Sequence, residues 1–185
     1  MKMLFNAYHY TECSAIASGI NPEEGGRLYL VDTVAVNYKP AWPMLRYYAI
    51  EMDVPVVCVS TELSGEQIAR RMAILENALQ SHNVTRGGFH AEMIRYGKAI
   101  MDIGRSRIAI VDDPPGDQEA ILKKALASAQ SIGAQVILFD VIYAFEIGRL
   151  REFANEAGIP VIGFSNNPLL VEKVRGFFDK VIELV

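Results

Sequence analysis

Few of the residues that usually announce a chemistry are present. The two cysteines, Cys13 and Cys58, are far apart and form no CxxC pair, so neither a disulfide framework nor a zinc site is indicated. The three histidines, His9, His82 and His90, show no ligand spacing. No apolar run approaches the roughly 18 residues of a membrane span, and the start MKMLFNAYHY has no signal-peptide core. A cytoplasmic protein without a membrane partner is the expectation. Positive charge is not in excess: 18 Lys and Arg against 22 Asp and Glu leave a net charge of −4. That removes the global basic footprint of a nucleic-acid binder, although local patches remain open. Internal repeats, low-complexity tracts and linkers are also missing.

What is there is a regular alternation. With 185 residues, 51% of them hydrophobic and 22% charged, the chain suits one domain with a full core, preceded by a lead-in over residues 1–26. Apolar, β-branched runs predict strands over Arg27–Val31, Val54–Ser60, Arg107–Val111, Gln135–Phe139, Ile159–Phe164 and Lys180–Val185. Cys58 lies inside one of them and reads as a buried thiol. Helical spacing predicts helices over Trp42–Met52, from Ser64 to about Leu79, and over Ala91–Ile103, Gln118–Ile132, Glu146–Ala157 and Asn167–Val174. Pro43 fits only the first turn of its helix. Ser64 and Gln67 have the spacing of a capping box. Gly25-Gly26, Arg86-Gly87-Gly88 and Asp112-Asp113-Pro114-Pro115-Gly116 punctuate the chain as turns or breaks. Strands alternating with helices over short connections predict a doubly wound α/β domain, its mainly parallel sheet flanked by helices on both faces.

Several stretches, in order, resemble the RecA-like motor domain of DnaB-type replicative helicases. Ser18–Leu30 (SGINPEEGGRLYL) is similar to the approach to that family's first strand. Val56–Met72 (VVCVSTELSGEQIARRM) resembles its strand ending in Ser-Leu-Glu-Met and the helix that follows. Leu79–Gly88 (LQSHNVTRGG) and Ile108–Gly116 (IAIVDDPPG) match the next segments. Val136–Asp140 (VILFD) stands at the Walker B strand, and Ala154–Ser165 (ANEAGIPVIGFS) at the strand of the polar sensor. The resemblance implies a RecA-like P-loop NTPase core. It puts Glu62 on the glutamate that orients the attacking water, Asp140 on the Walker B carboxylate and Lys39 on the phosphate-binding lysine.

The departures carry as much information. The Walker A position holds Thr33-Val34-Ala35-Val36-Asn37-Tyr38-Lys39-Pro40, with Thr33 and Tyr38 where the family has glycine and Pro40 where it has the Mg²⁺-binding hydroxyl. A phosphate cradle needs inward-pointing amides, with glycine where φ is positive or the backbone must approach phosphate. Valine and threonine resist that conformation, Tyr38 adds bulk, and Pro40 removes an N–H from the helix start. Asp140 leads through Val141–Phe145 almost directly into a helix, and Ser165-Asn166-Asn167-Pro168 is equally short, so neither family DNA loop has a basic, flexible counterpart. The family's N-terminal domain has no counterpart in these residues, and its arginine finger would be expected near Val185.

The expectation is therefore a non-catalytic, DnaB-like domain without a cofactor, in which Lys39, Glu62 and Asp140 are vestigial. It would act through protein contacts in replication or its regulation, with a replicative helicase, its loader or further copies of itself as partners. An ATPase or helicase subunit using ATP and Mg²⁺ at an atypical site is the alternative, as is an ATP-independent DNA-binding protein. Nucleic acid is not the favoured partner. Asp112-Asp113 reads as a capping turn more readily than as a metal site, and Arg70-Arg71 and Arg105–Arg107 as solvated charges. Tyr38, Trp42, Tyr47 and Tyr48 are read as a cluster around the altered loop, either filling the vacated nucleotide pocket or forming a partner surface.

Overall fold

The computed structural model describes residues 8–20, 25–35, 41–81, 89–113, 116–143 and 145–184. The strands are β1 (Leu28–Asp32), β2 (Val56–Val59), β3 (Ile108–Val111), β4 (Val136–Phe139), β5 (Val161–Ser165) and β6 (Lys180–Glu183). They form one sheet in the order β3-β2-β4-β5-β1-β6, and every pairing is parallel. Among the described residues seven α-helices flank it: α1 (Tyr8–Ser18), α2 (Ala41–Arg46), α3 (Gly65–Ser81), α4 (Phe89–Arg105), α5 (Gln118–Ile132), α6 (Ile147–Ala157) and α7 (Pro168–Val174). No helix among the described residues is long and apolar enough to cross a membrane.

The strand sequences explain the two-sided core. Side chains alternate across a strand, so a run apolar at every position must bury both faces. Tyr29, Val31, Val56, Cys58, Val136, Leu138, Ile162 and Phe164 face one layer, with Cys13, Ile16, Met44, Leu45, Ile68 and Met72. Leu28, Leu30, Val57, Val59, Ile137, Phe139 and Val161 face the other, with Leu122, Ala125, Leu150, Phe153 and Val171. Cys58 is fully buried, and burial, followed by the nearby Asp140 carboxylate, pushes its thiol well above the ordinary range. Outer strand β3 is less covered, with three of its four residues only half-buried.

Helix starts follow the expected local chemistry. The Ser64 hydroxyl accepts the Gln67 N–H at 3.3 Å and Gln67 Oε1 accepts the Ser64 N–H at 3.0 Å, a reciprocal capping box. Asp112 adds to it by accepting the Gly65 N–H at 2.7 Å. Asn167 caps α7 through the amides of Leu169 and Leu170, with Pro168 in the first turn. Helices α5 and α6 end on left-handed Gly133 and Gly158.

The expected helix Trp42–Met52 is instead two pieces. Helix α2 is wholly buried and passes into a π-helical turn, Tyr47–Glu51, in which the Met52 N–H reaches the Tyr47 carbonyl. Buried Arg46 pairs with Glu51 at 2.7 Å across that turn. The first residues, read from sequence as only weakly patterned, include α1. The expected breaks at Arg86–Gly88 and Pro114-Pro115 lie outside the described residues, as does the end of the last predicted strand at Val185.

Candidate functional site

Parallel strands deliver the residues that follow them to one edge, the carboxyl edge, where ligands of open α/β sheets bind. Here β2 and β4 are hydrogen-bonded neighbours, which places Asp140, immediately after β4, beside Ser60, immediately after β2. The Ser60 hydroxyl donates to Asp140 Oδ2 at 2.6 Å and accepts the Leu63 N–H at 3.1 Å. Ser60 and Asp140 are both buried. This hydroxyl ties the bend carrying Glu62 to the end of β4. Glu62 is exposed and accepts a short hydrogen bond from the Tyr143 hydroxyl. That bond first, then partial burial and the charges of Glu62 and Asp140, raises the Tyr143 phenol to about 12.

Glu62 and Asp140 thus follow neighbouring strands at the same edge of the sheet. Ser60 and Tyr143, which engage them, were not singled out. Their only sequence signals are a hydroxyl at the end of an apolar strand and a tyrosine three residues past Asp140. Lys39 and Tyr38 lie outside the described residues. Spectrophotometric titration checks this geometry: one tyrosine should ionise near pH 12, Tyr143→Phe should remove it, and Glu62→Gln should bring it down towards about 10. A Tyr143 phenol ionising normally would disprove the contact.

At the described start of the loop after β1 the first two amides are engaged within the domain. The Thr33 N–H is spent on the Ser165 carbonyl at 2.9 Å, and Thr33 is buried. The Val34 N–H is spent on Asp32 Oδ1, also at 2.9 Å. A carboxylate of the same chain therefore takes this amide. From Arg27 through Ser64 the chain has no glycine to turn further amides inward.

The described part of this edge is acidic. Asp32, Glu62, Asp112-Asp113, Asp140 and Glu183 follow or end five of the six strands. Lys124 lies against Asp113 and Arg175 against Glu183, both within 2.7 Å. An edge rich in carboxylates repels an approaching polyphosphate. Among the described residues no group of three or more His, Cys, Asp or Glu is arranged to hold a metal ion. Asp112 and Asp113 serve as a cap and an ion-pair partner.

The aromatic residues do not gather at this edge. Trp42 is at the start of α2, but Tyr47 and Tyr48 are at the opposite end of the sheet, where they line a cavity of about 380 Å³ with Ala17, Met52, Gln135 and Pro160. All three are buried, with exposures of 6–9%. This corrects the reading of one cluster around the loop, and it leaves Tyr47 and Tyr48 neither filling the nucleotide position nor forming an open partner surface. The reason is helix geometry: α2 and its π turn carry the chain from the carboxyl edge back to the amino edge. Burial, and then the neighbouring Tyr47, pushes the Tyr48 phenol strongly upward.

No family model matches the chain. No curated protein matches it by sequence. Among solved structures it is similar to the ATPase domain of G40P, with a TM-score of 0.65 and 15% identity over 100% of this chain and 84% of that one. Identity that low speaks to architecture alone, and the architecture is the RecA-like fold.

Proposed function

We propose that this protein is a non-hydrolytic RecA-like domain of the DnaB type that acts by contacting other proteins in DNA replication or its control. The observation that carries the reading is the engagement of the first loop amides by Ser165 and by the Asp32 carboxylate. The glycine-free sequence between residues 33 and 40 supports it, as does the acidic carboxyl edge. Glu62, the residue aligned with a water-orienting glutamate, is occupied by Tyr143. A motor core without nucleotide keeps its packing faces, and these suit it to bind a replicative helicase, its loader or its own copies. The same acidic edge disfavours a phosphodiester backbone, so nucleic acid is not the proposed partner.

Calorimetric titration with Mg-ATP tests the reading. The expected result is no binding tighter than about 1 mM. Micromolar binding, or ATP turnover abolished by Glu62→Gln, would reject it. A second reading, an ATPase with an unorthodox loop, draws on one observation: Glu62 and Asp140 still follow neighbouring strands. It predicts hydrolysis stimulated by single-stranded DNA.

A further inference from the structure

Helix α4 has an apolar face that stays exposed among the described residues. Ala99 is fully buried, while Tyr96 and Ile103 on the same side are half-buried. About a third of a turn away, Met93, Ile94, Ile100 and Met101 are 51–61% exposed. Lone exposed apolar residues are ordinary, but four on one helix face are not.

Between them, on the same face, stand Gly97 and Gly104, both exposed. Glycine weakens a helix, and a Cβ added at either position would meet nothing within 4 Å. Nothing among the described residues therefore needs these side chains to be missing. A second body approaching the helix would.

The spacing indicates which body. Met93, Gly97, Ile100 and Gly104 follow each other at intervals of four, three and four, the seam of a helix pair. The seam alternates large and small. When it is laid antiparallel on a copy of itself about a two-fold axis between residues 98 and 99, Met93 meets Gly104 and Ile100 meets Gly97. Each bulky residue faces a glycine gap, and the match is isologous. An unrelated helix would have no reason to share that symmetry.

Four half-exposed side chains present on the order of 400 Å² per copy, the size of the largest apolar patch on a typical monomer, which is often a functional surface. Doubled, and joined by Gly97, Gly104 and the groove of Arg70 and Tyr96 beside Ile100, the contact approaches the roughly 1,000 Å² of a specific interface.

We infer that the protein forms a closed two-fold dimer through antiparallel α4 helices. This goes beyond the proposed function and does not depend on it: the nucleotide titration can come out either way without touching it.

Sedimentation equilibrium on the full chain, from micromolar to millimolar protein, tests it. The expected result is a reversible monomer–dimer equilibrium that stops at two. Ile100→Lys should weaken it tenfold or more. Gly97→Leu discriminates further: it adds apolar area but fills the gap, so a merely sticky surface would associate more tightly, whereas this seam should loosen at least tenfold. Leu169→Ser, at a residue 78% exposed on α7, should change nothing. Circular dichroism melts establish that each variant is folded. A monomer throughout the range, assembly beyond two copies, or tighter association of Gly97→Leu would overturn the inference.

Discussion

Replacing Gly163 by alanine is expected to destabilise the protein by about 2–3 kcal/mol, more than almost any other single methyl group could. Gly163 lies within β5, and a Cβ there would fall 2.2 Å from Ile142 Cγ2 and 3.6 Å from Ile142 Cβ. Ile142 cannot readily give way. It is fully buried, and its N–H is held by the Phe164 carbonyl at 3.3 Å. Ile142 belongs to the short connection from Asp140 to α6, so the glycine lets that connection lie flat on the sheet beside the candidate site. In a strand, alanine would ordinarily be preferred to glycine, which makes the sign of the effect diagnostic. Urea denaturation of Gly163→Ala, Ile142→Ala and the double variant measures the contact. The double variant should be less destabilised than the sum of the singles by about 1 kcal/mol or more, because truncating Ile142 makes room for the new methyl. Strict additivity would refute the packing described here.

Asp179 is expected to be the most influential carboxylate for stability. It precedes β6 and accepts both guanidinium nitrogens of Arg151 on α6, Arg27 Nη1 at 2.8 Å and the Leu28 N–H at 2.8 Å. Its own N–H returns to the Leu28 carbonyl at 2.9 Å. One side chain thus joins β1, α6 and the entry to β6. The Arg151 hydrogen bond above all, with help from the Leu28 amide and Arg27, holds its carboxyl well below the usual carboxylate range. The folded-state pKa is therefore depressed, so the stabilisation is fully present above the unfolded value of about 4 and is lost as pH falls from there towards the folded value. Asp179→Ala should cost about 2–3 kcal/mol at neutral pH, the order expected for charge-assisted hydrogen bonds whose arginine partners are partly exposed. Urea melts of both proteins at neutral pH and at steps below about pH 4 check it, with the difference between them shrinking as the acid is increased. A difference independent of pH would show that the carboxylate charge is not what holds the three elements.

The sequence made the layout of the fold readable because its strands are apolar at every position and its helices carry their own caps. Val56–Val59 and Val136–Phe139 admit no arrangement but burial on both faces, and Ser64-Gly65-Glu66-Gln67 specifies a helix start without outside help. The ordered resemblance placed Glu62 and Asp140 after two of the strands, and β2 and β4 prove to be neighbours. Other features depend on contacts between distant residues. Tyr143 reaches Glu62 across 81 positions and Arg27 reaches Asp179 across 152, and no local pattern records either. The π turn at Tyr47–Glu51 was also hidden, since its residues suit an α-helix and only the buried Arg46–Glu51 pair and the packing of Tyr47 and Tyr48 distinguish it. That one turn helps explain why the aromatic side chains lie at the amino edge and not around the altered loop.

The central claim concerns the loop after β1, and a crystal grown with Mg²⁺ and a non-hydrolysable ATP analogue tests it most directly. The account predicts no analogue density at the carboxyl edge, with the Val34 N–H still on Asp32 and the Thr33 N–H still on Ser165. A triphosphate seated beside Lys39, with those amides turned towards it, would contradict the account.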